Sequence, residues 1–179
     1  MTEVGNIYGG ALYTLAKEEG LDNRILEELT ALQESFRSEP DFLKLLSTPS
    51  LTKEERCQVL DNSFREKLHP YVLNFLKILT EKGYVRHFSG CCDAFTLRYN
   101  EDNGILPVTA VTAVPLTEAQ AEKLKQKLGT ITGKQITLQS RIDPAVLGGI
   151  RLDYDGQRLD DTVSHRMASL RELLRKTVL

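Results

Sequence analysis

The chain has 179 residues, which is enough for one ordinary domain or two small ones. Hydrophobic residues make up 41% and charged residues 27%, a globular composition that excludes an intrinsically disordered chain. No apolar run reaches the ~18 residues that a membrane span requires, and the first ten residues carry no basic patch typical of a secretory signal. We therefore expect a cytosolic protein with no direct membrane insertion.

Charge is distributed unevenly along the chain. The net charge of −2 gives no general attraction to nucleic acid. Residues 1–105 carry 12 basic and 17 acidic side chains, whereas residues 106–179 carry 11 basic and 8 acidic ones. This difference predicts two units with different surfaces, and we expect the linker near residues 103–107, where Asn103, Gly104 and Pro107 cluster.

The first fifty residues predict three short amphipathic helices from apolar side chains at helical spacing. The first helix ends at a Gly20 C-cap, the second begins at an Asp22 cap, and the third follows Pro40, with a break at Pro49. The apolar stripe of the first helix is Val4, Ile7, Tyr8, Ala11, Leu12 and Leu15. The second helix carries Ile25, Leu29, Leu32 and Phe36, and the third carries Phe42, Leu45 and Leu46.

Three further helices are predicted before residue 104. A capping box of Thr52 and Glu55 opens the fourth helix, Pro70 occupies the first turn of the fifth, and Gly83 closes it. The inward residues of the fourth helix are Cys57, Leu60 and Phe64, and those of the fifth are Val72, Phe75, Leu76 and Leu79. The sixth helix is marked by Val85, Phe88, Cys92, Phe95 and Tyr99. Stripes this short can be buried only against one another, which predicts a six-helix bundle over residues 1–104.

The hydrophobic period changes in the remainder of the chain. Alternating or β-branched residues predict strands at 106–114, 136–142, 150–154 and 157–159. A capping box of Thr117 and Gln120 opens a helix to about Leu128, and Asp155-Gly156 is typical of a type I′ hairpin turn. A last helix is predicted to begin at a Thr162 cap. Its inward-facing residues are Val163, Met167, Leu170 and Leu174. The order β-α-β-β-β-α makes residues 105–179 a small α/β domain, and the whole chain an α+β protein.

Motifs for catalysis or metal binding are absent from the sequence. His69, His87 and His165 are far apart, and none has a cysteine or second histidine at ligand spacing. Three cysteines, Cys57, Cys91 and Cys92, form neither a disulfide framework nor a zinc-binding pair. We expect no catalytic residue, no metal and no cofactor, and we look instead for a surface that binds a partner.

Two features of the predicted bundle draw attention to such a surface. Ile78 lies off the core stripe of the fifth helix, on a mostly polar face with Asn74, and is either a stray surface residue or a partner contact. Gly9 and Gly10 interrupt the first helix at a cost of roughly 1 kcal/mol each. They either let another helix approach closely or mark a weak helix start.

Three segments, in this order and at this spacing, carry a resemblance to a known family. They are Tyr8-Gly-Gly-Ala11-Leu12, then Asn74-Phe-Leu-Lys-Ile-Leu-Thr-Glu-Lys-Gly83, then Ile142-Asp-Pro-Ala-Val-Leu-Gly-Gly-Ile150 followed by Asp160-Asp-Thr-Val163. The whole chain resembles the delta-subunit family of bacterial F-type ATP synthases, equivalent to the mitochondrial oligomycin-sensitivity-conferring protein. The family usually has Ser where Thr162 stands, a change that preserves a capping hydroxyl.

The resemblance implies a non-catalytic stator role that couples rotation to ATP synthesis and hydrogen ion transport. Domain 1–104 would bind the catalytic head by holding an N-terminal helix of an alpha subunit between the first and fifth helices. Domain 105–179 would hold the membrane-anchored b subunits of the peripheral stalk, at the cytoplasmic face of the cell membrane. The residues expected to bind the alpha helix are Tyr8, Gly9, Ala11, Leu12, Leu15, Asn74 and Ile78.

Two other classes of function stay open from the sequence. The first is an RNA-binding or regulatory adaptor that uses the basic domain 105–179, although this domain lacks the interleaved basic and aromatic residues that stack bases. The second is an enzyme with no familiar motif. The stator interpretation expects neither nucleic acid nor a small-molecule substrate as a partner.

Overall fold

The computed structural model describes residues 2–48 and 51–163, together with His165 and Met167. The chain divides into two compact units, an N-terminal unit of Met1–Tyr99 and a C-terminal unit of Asn100–Leu179. The N-terminal unit is helical, and the C-terminal unit contains a four-stranded sheet. The predicted α+β class is confirmed.

Six α-helices begin within the described residues of the N-terminal unit, and a short 3-10 helix at Val85–His87 precedes the last. The helices are α1 Glu3–Glu18, α2 Asp22–Ser38, α3 Pro40–Ser47, α4 Lys53–Phe64, α5 Pro70–Glu81 and α6 Phe88–Asp102. The sequence explains several boundaries. Gly20 ends α1 in the left-handed region with φ +67°, and both halves of the predicted capping box of Thr52 and Glu55 form at the start of α4.

Two predicted helix starts are wrong. Asp22 does not cap α2: it is the first helical residue, the N-cap position falls on Leu21, and no side chain caps that end. The first backbone bond of the helix accordingly runs from Ile25 N to Leu21 O, at 2.9 Å. Val85 does not belong to α6, because the chain first makes the 3-10 helix, with His87 N donating to Tyr84 O at 2.8 Å.

The core of the N-terminal unit is built from the predicted stripes of α2 and α5. Phe36 lies in an aromatic cluster, with ring centroids 5.0 Å from Phe88, 5.6 Å from Phe42 and 6.3 Å from Phe64. The predicted inward residues of α2 and α5 are all buried, namely Ile25, Leu29, Leu32, Phe36, Val72, Phe75, Leu76 and Leu79. Leu45 departs from the prediction, because it is 43% exposed on α3 while its neighbour Leu46 fills the core.

The C-terminal unit is a sheet in the order β2-β1-β3-β4 with a helix on one face. Its elements are β1 Ile105–Thr112, α7 Glu118–Thr132, β2 Gln135–Ile142, β3 Ile150–Tyr154 and β4 Gln157–Asp160, with a short 3-10 helix at Pro144–Val146. Strands β1 and β2 are parallel, which requires α7 as the crossover, and the other pairs are antiparallel. The core consists of Leu106, Val108, Ala110 and Leu152, packed against Leu124 and Leu128 of α7.

In this unit the predicted hairpin turn is confirmed, whereas the predicted end of α7 is wrong. Asp155 and Gly156 have φ +45° and +69°, as the predicted type I′ turn requires. Helix α7 runs four residues past the predicted end at Leu128, because Gly129 stays helical and Gly133 provides the left-handed C-cap. Ile142 alternates with polar residues along β2 as Ile136 and Leu138 do, but it is 53% exposed at the end of the strand, whereas the other two pack against the core.

One further prediction can be followed only in part. Thr162 Oγ1 accepts a hydrogen bond from His165 N at 3.2 Å, which agrees with the predicted cap of a last helix. Val163 and Met167 were also predicted to face inward, but they are 45% and 55% exposed, so that prediction is wrong for both. The other two inward positions, Leu170 and Leu174, lie outside the described residues, as does the predicted break at Pro49.

Candidate functional site

An apolar groove lies between α1 and α5 of the N-terminal unit, with a volume of about 290 Å³. Its lining residues are Tyr8, Ala11, Leu12, Leu15, Tyr71, Asn74, Phe75 and Ile78. Six of the seven residues predicted to bind a partner therefore line one surface, and Gly9 is the exception. No charged side chain is among the lining residues.

Helical spacing explains why these residues meet. Tyr8, Ala11, Leu12 and Leu15 stand at i, i+3, i+4 and i+7 on α1, and the same spacing on α5 aligns its four lining residues. At one end the Tyr8 ring lies 5.8 Å from the ring of Tyr84, which follows the C-terminus of α5. The first half of α1 therefore lies beside the C-terminal end of α5.

The groove has a buried floor and exposed apolar sides. Leu12 and Phe75 are buried and form the floor. Leu15 is 38% exposed and Ile78 is 45% exposed, so both offer apolar surface that the fold itself does not cover. Apolar surface of this shape, free of charge and bounded by two helices, fits the apolar face of a third helix.

Gly9 faces a different neighbour. A Cβ atom on Gly9 would lie 3.1 Å from Ala94 Cβ and closer still to the carbonyl oxygen of Cys91, and both residues belong to α6. A Cβ on Gly10 would lie 2.5 Å from Cζ of Arg98, also on α6. Gly9 thus lets α1 and α6 approach closely, as the packing alternative predicted, whereas the neighbour of Gly10 is the flexible end of a side chain. Gly9 packs against α6 and is not among the residues that line the groove.

Two lining residues, Tyr71 and Phe75, were missing from the predicted set. Tyr71 precedes Asn74 by three residues and Ile78 by seven, so the three side chains lie on the same strip of α5. This spacing could have identified Tyr71 as a lining residue. Its backbone is also fixed, since Tyr71 N donates to Nδ1 of His69, the N-cap residue of α5, at 3.3 Å. Phe75 was assigned to the core, and it is a core residue that also forms the groove floor.

Two cysteines and one ion pair are the titratable groups of interest in the rest of the N-terminal unit. Burial raises the pKa of the Cys91 thiol to about 11. Burial and the neighbouring Glu81 carboxylate raise the pKa of Cys57, whose Sγ lies 3.8 Å from Glu81 Oε1. Lys77 Nζ pairs with Asp61 Oδ1 at 2.7 Å beside it. Within the described ranges of the chain, no group of three or more His, Cys, Asp or Glu side chains is arranged to hold a metal.

Charged side chains of the C-terminal unit cluster at the hairpin of β3 and β4. Arg158 Nε donates to Asp153 Oδ1 at 2.8 Å, and Arg151 Nε lies 3.4 Å from Asp153 Oδ2. The hydrogen bond from Arg158 holds the pKa of Asp153 below its usual value. The same contact raises the pKa of Arg158, so Asp153 and Arg158 are both ionised near neutral pH and the hairpin presents a polar surface rather than an apolar one.

The comparison with known families decides between the open interpretations. The family model described as ATP synthase delta (OSCP) subunit matches residues 4–174. The chain belongs to this family. Family membership favours the stator interpretation over an RNA-binding adaptor or an enzyme, and it extends through both units.

Individual relatives agree with the delta-subunit assignment. The chain is 31% identical over 173 residues to ATP synthase subunit delta of Alkaliphilus oremlandii, covering 97% of this chain and 96% of that protein. It is 30% identical over 170 residues to the subunit of the same name from Synechococcus elongatus, covering 94% and 91%.

A solved structure supports the fold. A chain in the cryo-EM structure of the Toxoplasma gondii mitochondrial ATP synthase hexamer superposes with a TM-score of 0.78 at 20% identity, covering 97% of this chain and 98% of that one. In residues 2–48 and 51–163, none of the helices combines the length and apolar character that a bilayer span demands.

Proposed function

We propose that this chain is the delta subunit of an F-type ATP synthase and acts there as a non-catalytic stator. Membership of the delta (OSCP) family along residues 4–174 carries the proposal. In this role the chain links the catalytic head to the peripheral stalk, so that the head does not turn with the rotor. The catalytic steps of ATP synthesis then belong to the head, and this chain contributes mechanical coupling.

The head contact is assigned to the N-terminal domain, residues 1–104, with its six helices packed as a bundle. The groove between α1 and α5 would receive the amphipathic N-terminal helix of an alpha subunit. Fully burying an exposed Ile or Leu contributes roughly 1.5–3 kcal/mol before the costs of association, and covering a half-buried one contributes a corresponding fraction. Leu15 and Ile78 are the main exposed apolar side chains available for this contact.

The stalk contact is assigned to the C-terminal domain, residues 105–179. This domain has a basic balance, with 11 basic and 8 acidic side chains in residues 106–179, in contrast to the acidic first part of the chain. It would hold the distal ends of the b subunits. The protein would then lie peripherally at the cytoplasmic face of the cell membrane, held there by its partners.

Binding measurements test the two assignments separately. The full-length chain should bind a synthetic peptide of the alpha N-terminus from the same complex in isothermal titration calorimetry. The full-length chain should also co-purify with both the head and the b subunits, whereas residues 1–104 should retain the head alone. Equal capture of b by the two forms would contradict the assignment of the stalk contact.

A further inference from the structure

The groove between α1 and α5 contains one side chain that does not match its surroundings. Of the eight residues that line it in the described part of the chain, Asn74 alone is neither aliphatic nor aromatic. Asn74 is exposed, and its amide has no hydrogen-bond partner among the described residues. The two tyrosines of the groove also carry polar groups. A tyrosine, however, can bury its ring and keep its hydroxyl at a wet edge, which a short amide cannot do.

The position of Asn74 makes its burial unavoidable once a helix occupies the groove. Tyr71 lies three residues before Asn74 and Ile78 four residues after it, so the amide stands in the middle of one strip on α5. A helix that covers both ends of this strip also covers the middle. A buried primary amide without partners is costly, because its two donors and its acceptor lose their bonds to water.

We infer that Asn74 sets the specificity and register of the helix that binds this groove. The partner is an amphipathic helix whose apolar stripe is interrupted by one hydrogen-bonding side chain, placed to pair with the Asn74 amide. This inference rests on the proposed function of the groove and adds the chemistry of the partner. A single buried Asn fixes register in coiled coils by the same mechanism, since a shifted helix would leave the amide facing an apolar side chain.

The test uses the full-length chain, its Asn74→Leu variant, and synthetic alpha N-terminal peptides in which each polar position is replaced in turn by Leu. Affinities are measured by isothermal titration calorimetry. Replacing the peptide side chain that pairs with the Asn74 amide should weaken binding to the native chain by about tenfold, because the amide then loses its hydrogen-bond partner. The same replacement should strengthen binding to Asn74→Leu, so that the preference between the two peptides inverts.

Controls separate specificity from general effects. Asn62→Leu places the same substitution at an exposed Asn of α4 outside the groove, and it should bind every peptide as the native chain does. Thermal unfolding should give similar melting temperatures for both variants. If Asn74→Leu binds the native peptide as tightly as the native chain does, and no replacement inverts the preference, this inference is overturned while the groove assignment stands. If the native peptide binds neither chain, the proposed function of the groove fails as well.

Discussion

Gly9 of α1 lies directly against the backbone of Cys91 on α6. A Cβ at position 9 would be well inside van der Waals contact of the Cys91 carbonyl oxygen, which is part of the backbone and cannot rotate away. The buried side of α1 therefore depends on the absence of a side chain at this position. The residues Tyr8, Ala11 and Leu15, which line the groove, are held in place by the same packing.

Replacing Gly9 should destabilise the N-terminal unit even though Ala is the better helix former. Overpacking a close contact typically costs about 1–3 kcal/mol, and a backbone oxygen leaves no flexible group to yield. We expect Gly9→Ala to lower the free energy of unfolding by about 1–3 kcal/mol in urea titrations.

Gly90 offers a matched control on the facing helix. A Cβ there would meet only Thr2 Oγ1, at an ordinary 3.4 Å. Gly90→Ala should therefore raise stability by roughly 0.5–1 kcal/mol through helix propensity. Equal stabilisation by both substitutions would show that α1 and α6 are not in close contact at Gly9.

Ile78 should anchor the partner helix without supporting the core. It is 45% exposed, and a carboxylate there would face an apolar helix with no partner of its own. We expect Ile78→Asp to weaken binding of the alpha peptide by at least ~2 kcal/mol, about 30-fold. The stability of the free protein should change by no more than ~0.5 kcal/mol.

The control for Ile78 is Leu45→Asp, on α3. Leu45 is 43% exposed and does not line the groove, so the substitution has the same character away from the site. Leu45→Asp should leave the peptide affinity unchanged. A large loss of stability in Ile78→Asp with an intact intrinsic affinity would make Ile78 a core residue instead.

Alkaline pH should destabilise the N-terminal unit through its buried thiols. Burial raises the pKa of Cys91 from an ordinary 9.0 to about 11, and it raises the pKa of Cys92 as well. Between these values the unfolded chain releases thiol protons that the folded chain keeps, so stability falls as pH rises from about 9 to about 11. The double variant Cys91→Ala, Cys92→Ala should lose part of this slope in urea titrations from pH 8 to pH 11. An identical slope in the native chain and the variant would contradict the prediction.

Residues 1–104 should fold without the rest of the chain. The hydrophobic core around Phe36 and Leu76 is made entirely of residues before position 100. A fragment of this length has enough core for marginal stability. We expect helical circular dichroism and a single cooperative thermal transition, and a broad transition with exposed apolar surface would contradict the boundary.

The sequence predicted elements best where local chemistry determines them. The capping boxes at Thr52 and Thr117 and the turn at Asp155-Gly156 depend on bonds within a few residues, and all three form. The Asp22 cap failed because the helix begins one residue earlier than predicted, which places Leu21 at the N-cap and Asp22 inside the first turn. The end of α7 was misplaced because two glycines, Gly129 and Gly133, both allow a helix to end.

The candidate site shows what helical spacing alone cannot provide. Periodicity separated Ile78 from the core stripe of α5, and the structure leaves Ile78 exposed. Periodicity could not tell which helix would pack against Gly9, because that depends on the arrangement of α1 and α6 in space. It also could not identify Phe75 as the groove floor, since a residue can belong to the core and line a surface at once.

The stator role is tested most directly by removing this chain from the intact ATP synthase and measuring two activities in the same membranes. ATP hydrolysis by the head should survive, because the chain is proposed to supply no catalytic group. ATP-driven proton pumping should collapse, because the head is no longer held against the rotor, and adding back the purified chain should restore it. Loss of hydrolysis together with pumping, or pumping that persists without the chain, would contradict the stator role.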